Sequence, residues 1–242
     1  MLDHVFISKT LFFPNQGILT IGDLHLGYDY MLQQAGISVP SMQTEDMIKE
    51  FKEIFTKIEK NKFKLKKVVF LGDIKHSFGF EKEEMFSFRK VADFISEKVG
   101  SENLILIRGN HDTIEYSFGK MQDYFIQDGI AFVHGNESFL EIYDEKIKII
   151  VMGHIHPSVI LSDKSGIKKE RFKCFLKGNF KKKEVFILPS FLESVEGTLV
   201  NNYNSDYDSL FSIIPKKDLL KFEVFVIGED DTYGFGKVKD LN

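Results

Sequence analysis

Seven side chains are of the types that together could hold metal ions: Asp23, His25, Asp73, Asn110, His134, His154 and His156. Carboxylate, amide and neutral imidazole make a hard-to-borderline donor set suited to Mn²⁺, Fe or Zn²⁺, and no thiolate motif accompanies them. Seven ligands are too many for one catalytic ion that must keep a position open for water or substrate. Two ions about one shared Asp satisfy the number. In Asp23-x-His25 and His154-x-His156, alternate side chains of an extended segment would reach inward together. Of the chain's seven histidines only His4 lies outside these motif regions, which also contain His76 and His111.

Each motif follows an apolar run that predicts a strand. Val5 to Phe13 and Ile18 to Ile21, separated by Pro14-Asn15-Gln16-Gly17, read as a hairpin delivering Gly22-Asp23. Lys67 to Leu71 leads to Gly72-Asp73, and Leu104 to Ile107 leads to Gly109-Asn110-His111-Asp112. Gly129 to Val133 leads to His134-Gly135, and Lys146 to Met152 leads to Gly153-His154. Helical spacing appears from Ser41 to Lys60 behind Pro40, and again through Phe88, Val91, Ala92, Ile95 and Val99 up to Gly100. This is an α/β pattern, and in such sheets ligands bind beyond the carboxyl ends of the strands. A lone Gly-Asp or Asn-His is ordinarily a turn or a cap; the ordered recurrence is what points to chemistry. No repeat or linker divides the chain, so residues 1–242 read as one domain.

The ordered series Asp23-Leu-His25, Gly72-Asp73, Gly109-Asn110-His111-Asp112, His134-Gly135 and Gly153-His154-Ile-His156 resembles that of calcineurin-like metallophosphoesterases. The wording is similar in particular to archaeal ICC-like and bacterial DNA-ligase-associated phosphoesterases, as is the tail wording Leu188-Pro-Ser-Phe191 and Phe235-Gly236. The resemblance implies a four-layered α/β/β/α sandwich of two packed mixed sheets. It also implies two divalent ions, manganese foremost with iron or zinc as alternatives: Asp23, His25 and His156 at one, Asn110, His134 and His154 at the other, and Asp73 bridging. The reaction implied is in-line attack on phosphorus by metal-bound hydroxide. In this family the histidine after the metal-binding Asn, here His111, contacts the phosphate or protonates the leaving oxygen, and Asp112 would orient its ring and raise its pKa. Where phosphoprotein phosphatases carry Asp-Arg-Gly to grip a monoester, this chain has Lys75-His76-Ser77. A histidine at His76 resembles the arrangement in repair nucleases of the superfamily, so a phosphodiester is the expected substrate, with nucleic acid or nucleotides as candidates. The alternatives are a phosphomonoesterase and a non-catalytic, metal-stabilised module that binds nucleic acid or a repair partner.

Composition narrows the setting. The longest apolar runs fall far short of a bilayer span, the start Met-Leu-Asp-His lacks a secretory signature, and Cys174 is the sole cysteine, all of which point to the cytoplasm. A net charge of −4 argues against coating nucleic acid non-specifically. One segment departs from that balance: Asp163 to Glu184 carries nine Lys or Arg against three acids, a local +6. It reads as a hairpin turning at Gly178-Asn179, with lysines guarding an edge strand; in the nucleic-acid reading the whole segment 163–184, Lys181 to Lys183 included, would contact phosphates. Asn201 to Asp208 reads as a surface loop, and oligomeric state is left open.

Overall fold

The computed structural model describes residues 3–77, 82–112, 120–163, 168–202 and 212–241. Five strands form the first sheet in the order β1 (Val5–Ile7), β2 (Thr10–Phe13), β3 (Ile18–Ile21), β4 (Lys67–Phe70), β5 (Leu104–Leu106). Helices α1 (Tyr28–Gln34) and α2 (Gln43–Lys60) lie between β3 and β4 in the chain, and α3 (Lys82–Val99) lies between β4 and β5. The second sheet contains β6 (Tyr124–Gln127), β7 (Ile130–Val133), β8 (Ile149–Met152), β9 (Pro157–Ser162), β10 (Lys169–Phe180), β11 (Lys183–Ile187) and β12 (Thr198–Leu199). Its order is β12-β9-β10-β11-β8-β7-β6, with β13 (Glu223–Ile227) paired to β10 and β14 (Thr232–Lys237) to β13.

Alternation along the strands builds three apolar layers and hence the α/β/β/α sandwich. Val68 and Phe70 of β4 face Phe51, Ile54, Phe88 and Val91 of the helices. Val69 and Leu71 face the other way, onto Phe132, Val151, Phe175 and Phe186 of the second sheet. Ile150, Met152, Val185 and Ile187 point outward from that sheet and are covered by Ile142, Ile214, Leu219 and Phe222. Strands buried on both faces read as unbroken apolar runs, which is why they were conspicuous in the sequence.

Four details differ from the sequence reading. Val5 to Phe13 is two strands, turning at Ser8 and Lys9, where Ser8 has φ 52° and the Thr10 hydroxyl donates to the Ile7 carbonyl at 2.7 Å. Helix α1 was not expected. The β10–β11 turn falls at Lys181 and Lys182, both with positive φ (48° and 64°), the backbone of a two-residue hairpin turn. Gly178 and Asn179 lie within β10, where a Cβ on Gly178 would collide with the Phe222 ring. Finally, β10 is not an edge strand throughout: Leu176 and Lys177 pair with both β11 and β13, whereas Lys169 to Lys173 pair with β9 alone among the described strands. Residues 164–167 of the basic segment and 203–208 of the expected loop lie outside the described residues.

Candidate metal centre

The parallel strands β3, β4 and β5 of one sheet, and β7 and β8 of the other, end at one rim. Asp23 and His25 follow β3, Asp73 follows β4, Asn110 follows β5, His134 follows β7, and His154 and His156 follow β8. They gather into two groups. Asp23, His25, Asp73 and His156 bring one ligand atom each within 4.8 Å of one another, and so do Asp73, His134 and His154. Asn110 joins the second group through its Oδ1, 3.0 Å from His134 Nε2. Asp73 is common to both groups.

The backbone reaches this arrangement through strained turns. His25, Asp73, His154 and His156 all have positive φ, at 45°, 46°, 66° and 47°. The Asp-x-His and His-x-His segments are therefore not extended, contrary to the sequence reading. Such conformations cost non-glycine residues about 1–3 kcal/mol each and persist where their surroundings over-determine them. Here the turns aim backbone N–H groups at carboxylates: His154 N–H donates to both oxygens of Asp23 at 3.1 and 3.2 Å, and His111 N–H donates to Asp73 Oδ1 at 2.9 Å. Close approach also explains the glycine ahead of Asn110: a Cβ on Gly109 would collide with the Asp73 amide and carboxylate.

The donor chemistry fits cations. His134 Nδ1 bonds the Leu71 carbonyl at 2.8 Å, which turns Nε2 into the second group. There Nε2 stands 3.1 Å from His154 Nδ1 and 3.5 Å from Asp73 Oδ2. In the first group His25 Nε2 and His156 Nε2 face each other at 3.4 Å, and His156 Nε2 lies 3.0 Å from Asp23 Oδ1. Imidazole nitrogens confronting one another around buried carboxylates are reconciled by protons or by metal ions. Burial opposes the charge on His156, yet the Asp23 carboxylate beside it holds its pKa above the usual value. His25 is driven the other way, to about 2, first by burial and then by the charge on His156. Burial works against the Asp23 carboxylate too, but the charge and hydrogen bond of His156 beside it hold its pKa well below the usual range.

The remaining site residues take different places. His111 Nδ1 bonds the His76 carbonyl at 2.7 Å, and Nε2 lies 3.9 Å from Asp73 Oδ2. The His76 ring stacks on that of His111 with centroids 5.9 Å apart, next to Tyr28 at 4.9 Å. The His76 Nδ1 is buried and has no hydrogen-bond partner among the described residues. Asp112 corrects the sequence reading: its carboxylate accepts the backbone N–H groups of Gly109 at 2.9 Å, Ile74 at 3.1 Å and Lys75 at 3.4 Å, while the His76 carbonyl orients the His111 ring. Burial, with Asp73 nearby, raises Asp112 to about 6 against those three donors. Asp112 thus ties the Asp73 turn to the Asn110 turn. Asp112→Ala strands these donors in the interior and is expected to lower stability by about 3 kcal/mol, read by urea unfolding of the metal-free protein; an unchanged midpoint would refute the tie. Arg108 contacts the Asp112 carbonyl at 3.4 Å and Asp123 at 3.6 Å.

The basic segment is divided: Lys168, Lys169, Lys181 and Lys182 are exposed, whereas Arg171, Lys173, Lys177 and Lys183 are partly or fully buried. Lys183 is buried and its ammonium caps the Asp144 and Ile147 carbonyls at 2.6 and 2.7 Å. Lys177 pairs with Glu184 at 3.1 Å. The exposed Lys181 and Lys182 form the turn ahead of β11, which runs parallel to β8 toward the rim, so they sit at the opposite end of the sheet from the centre. Any phosphate met by Lys181 or Lys182 would therefore lie away from the centre, and Lys183 is already engaged by carbonyls. The sequence reading also missed Ser190, whose hydroxyl donates to the Asp23 carbonyl at 3.0 Å, as does the Phe191 N–H. Its only sequence signal was the Leu188-Pro-Ser-Phe191 wording.

The family model for calcineurin-like phosphoesterases matches residues 17–158, a span that contains every residue of the two groups. Among solved structures the chain is similar to Pseudomonas putida nuclease MPE, with TM-score 0.58 and 18% identity, covering 93% of this chain and 92% of that one; this is a likeness of fold. Vps29 from Entamoeba histolytica, solved in complex with Zn²⁺, matches at TM-score 0.37 and 12% identity over 90% of this chain and 96% of that one, too loosely to argue from. No curated protein matches the chain in sequence.

Proposed function

The chain belongs to the calcineurin-like phosphoesterase family, and on that premise we propose that it is a binuclear metal-dependent phosphoesterase acting on phosphodiesters, with nucleic acid or nucleotides as candidate substrates. The observation that carries this reading is the pair of ligand groups joined at Asp73. Asp23, His25 and His156 would hold one divalent ion, Asn110, His134 and His154 the other, with Asp73 between them; Mn²⁺ suits the set first, Fe or Zn²⁺ next. Bound there, the ions would neutralise the phosphate and make water nucleophilic at neutral pH.

The chain's own residues do the rest. With Nδ1 fixed on the His76 carbonyl, His111 presents Nε2 toward the Asp73 side of the centre, where it can give a proton to a departing oxygen. His76, its Nδ1 buried beside these rings, offers a second contact to substrate. Lys75, in the stretch where phosphoprotein phosphatases would carry the arginine fork for a monoester dianion, is buried with its ammonium on the Ser77 carbonyl. The nuclease named among the similar folds is consistent with a diester substrate.

In the presence of Mn²⁺, bis(p-nitrophenyl) phosphate should be hydrolysed about tenfold faster or more than p-nitrophenyl phosphate, since a missing charge-assisted fork is worth upward of ~1.5 kcal/mol to the monoester. A panel extended to single- and double-stranded DNA and RNA, with chelator controls, tests the substrate class. A clear monoester preference would end the phosphodiesterase reading and leave the two-ion centre standing. No hydrolysis of any ester by the ion-loaded protein would favour a binding module.

A further inference from the structure

Resting on the two-ion reading above, we infer that Arg171 and Lys173 are positioning residues for the ion held by Asp23, His25 and His156, and not for its neighbour. Both come from the first half of β10, the strand whose charge suggested a nucleic-acid surface. Register places them along β9: Lys173 opposite Ser158 and Arg171 opposite Ile160, just beyond His156.

Each cation braces a loop that packs on the backbone carbonyl of a ligand of the first group. The Lys173 ammonium donates to the Ser190 carbonyl at 3.0 Å and to the Leu192 carbonyl. Between those two carbonyls, the Ser190 hydroxyl and the Phe191 N–H both donate to the Asp23 carbonyl at 3.0 Å. Arg171 bonds Ser158 Oγ through Nε at 3.0 Å, Glu196 at 2.5 Å and the Gly197 carbonyl. Gly197 packs so close to His156 that a Cβ would collide with the His156 carbonyl, and the adjacent Thr198 N–H donates to that carbonyl at 2.8 Å. Asp23 and His156 are therefore fixed from behind by one strand through two separate loops. The second group has supports of its own, His134 on the Leu71 carbonyl and the Asn110 turn on Asp112, and its His154 N–H meets Asp23 at the carboxylate, not at the Asp23 and His156 carbonyls that these loops hold.

Outer supports of metal ligands typically govern affinity by about 10–100-fold. Metal-stripped full-length protein titrated with Mn²⁺, with free ion read by electron paramagnetic resonance, should bind two ions. In Lys173→Met one of them weakens by about 10–100-fold while the other is unchanged, and Arg171→Met acts in the same direction. Single-site backgrounds identify the ion. In His154→Ala, Lys173→Met should weaken the ion that remains; in His25→Ala it should have no effect. Should Lys173→Met fail to fold, Ser190→Ala removes one hydroxyl contact and carries the same selective expectation. Equal weakening of both ions, or no change in either, overturns this inference while two ions in the wild type keep the parent reading intact. A wild type that binds a single ion overturns both.

Discussion

Asp73→Ala is expected to lose more bound metal than any other single ligand substitution and to lower hydrolysis by at least about 10³-fold, because loss of the ions removes several kcal/mol of transition-state stabilisation. His25→Ala or His154→Ala removes a donor from one group, whereas Asp73 belongs to both. Its Oδ1 also accepts the His111 N–H at 2.9 Å, and Oδ2 lies 3.5 Å from His134 Nε2. One substitution therefore opens both ion positions and releases the turn that carries the proposed acid. Elemental analysis at saturating Mn²⁺ is the measurement, with thermal unfolding in chelator to register any loss of fold. Metal content in Asp73→Ala equal to that of the wild type, or to that of His25→Ala, would refute the shared role.

His111→Asn should separate binding from chemistry, retaining both ions while turnover falls by roughly the 10²–10⁴-fold that a positioned proton donor contributes. His111 belongs to neither ligand group, and its Nε2 lies 3.9 Å from Asp73 Oδ2. An asparagine amide can still donate toward the His76 carbonyl, so the local turn has a substitute for the lost Nδ1 bond. The loss should fall on kcat more than on KM, and it should be smaller for a p-nitrophenyl ester, whose leaving group departs without a proton, than for an alkyl diester. Loss of one ion in this variant would make His111 a ligand and end its assignment as acid.

Much of the centre was legible before any coordinates, for local reasons. A strand buried on both faces is an unbroken apolar run, and the polar residue at its carboxyl end follows at once in the chain, as Leu71-Gly72-Asp73 and Met152-Gly153-His154 do. The residues of both groups, their order along the chain and the family they indicate could thus be read from neighbours within a few positions. Everything that depends on approach between distant segments needed the tertiary structure. Asp73 lies in both groups because β4 stands between β3, which delivers Asp23 and His25, and β5, which delivers Asn110. Four cluster residues adopt left-handed backbone conformations because amides and carboxylates far apart in sequence hold them there, as His154 N–H does with Asp23. Asp112 looks like a partner for the adjacent His111, yet its carboxylate serves the amide of Ile74 and that of Gly109. The basic stretch shows the same limit most plainly: charge can be counted along a chain, but whether Arg171, Lys173 and Lys183 meet solvent or carbonyl oxygens is decided by which loops and strands pack beside β10 and β11.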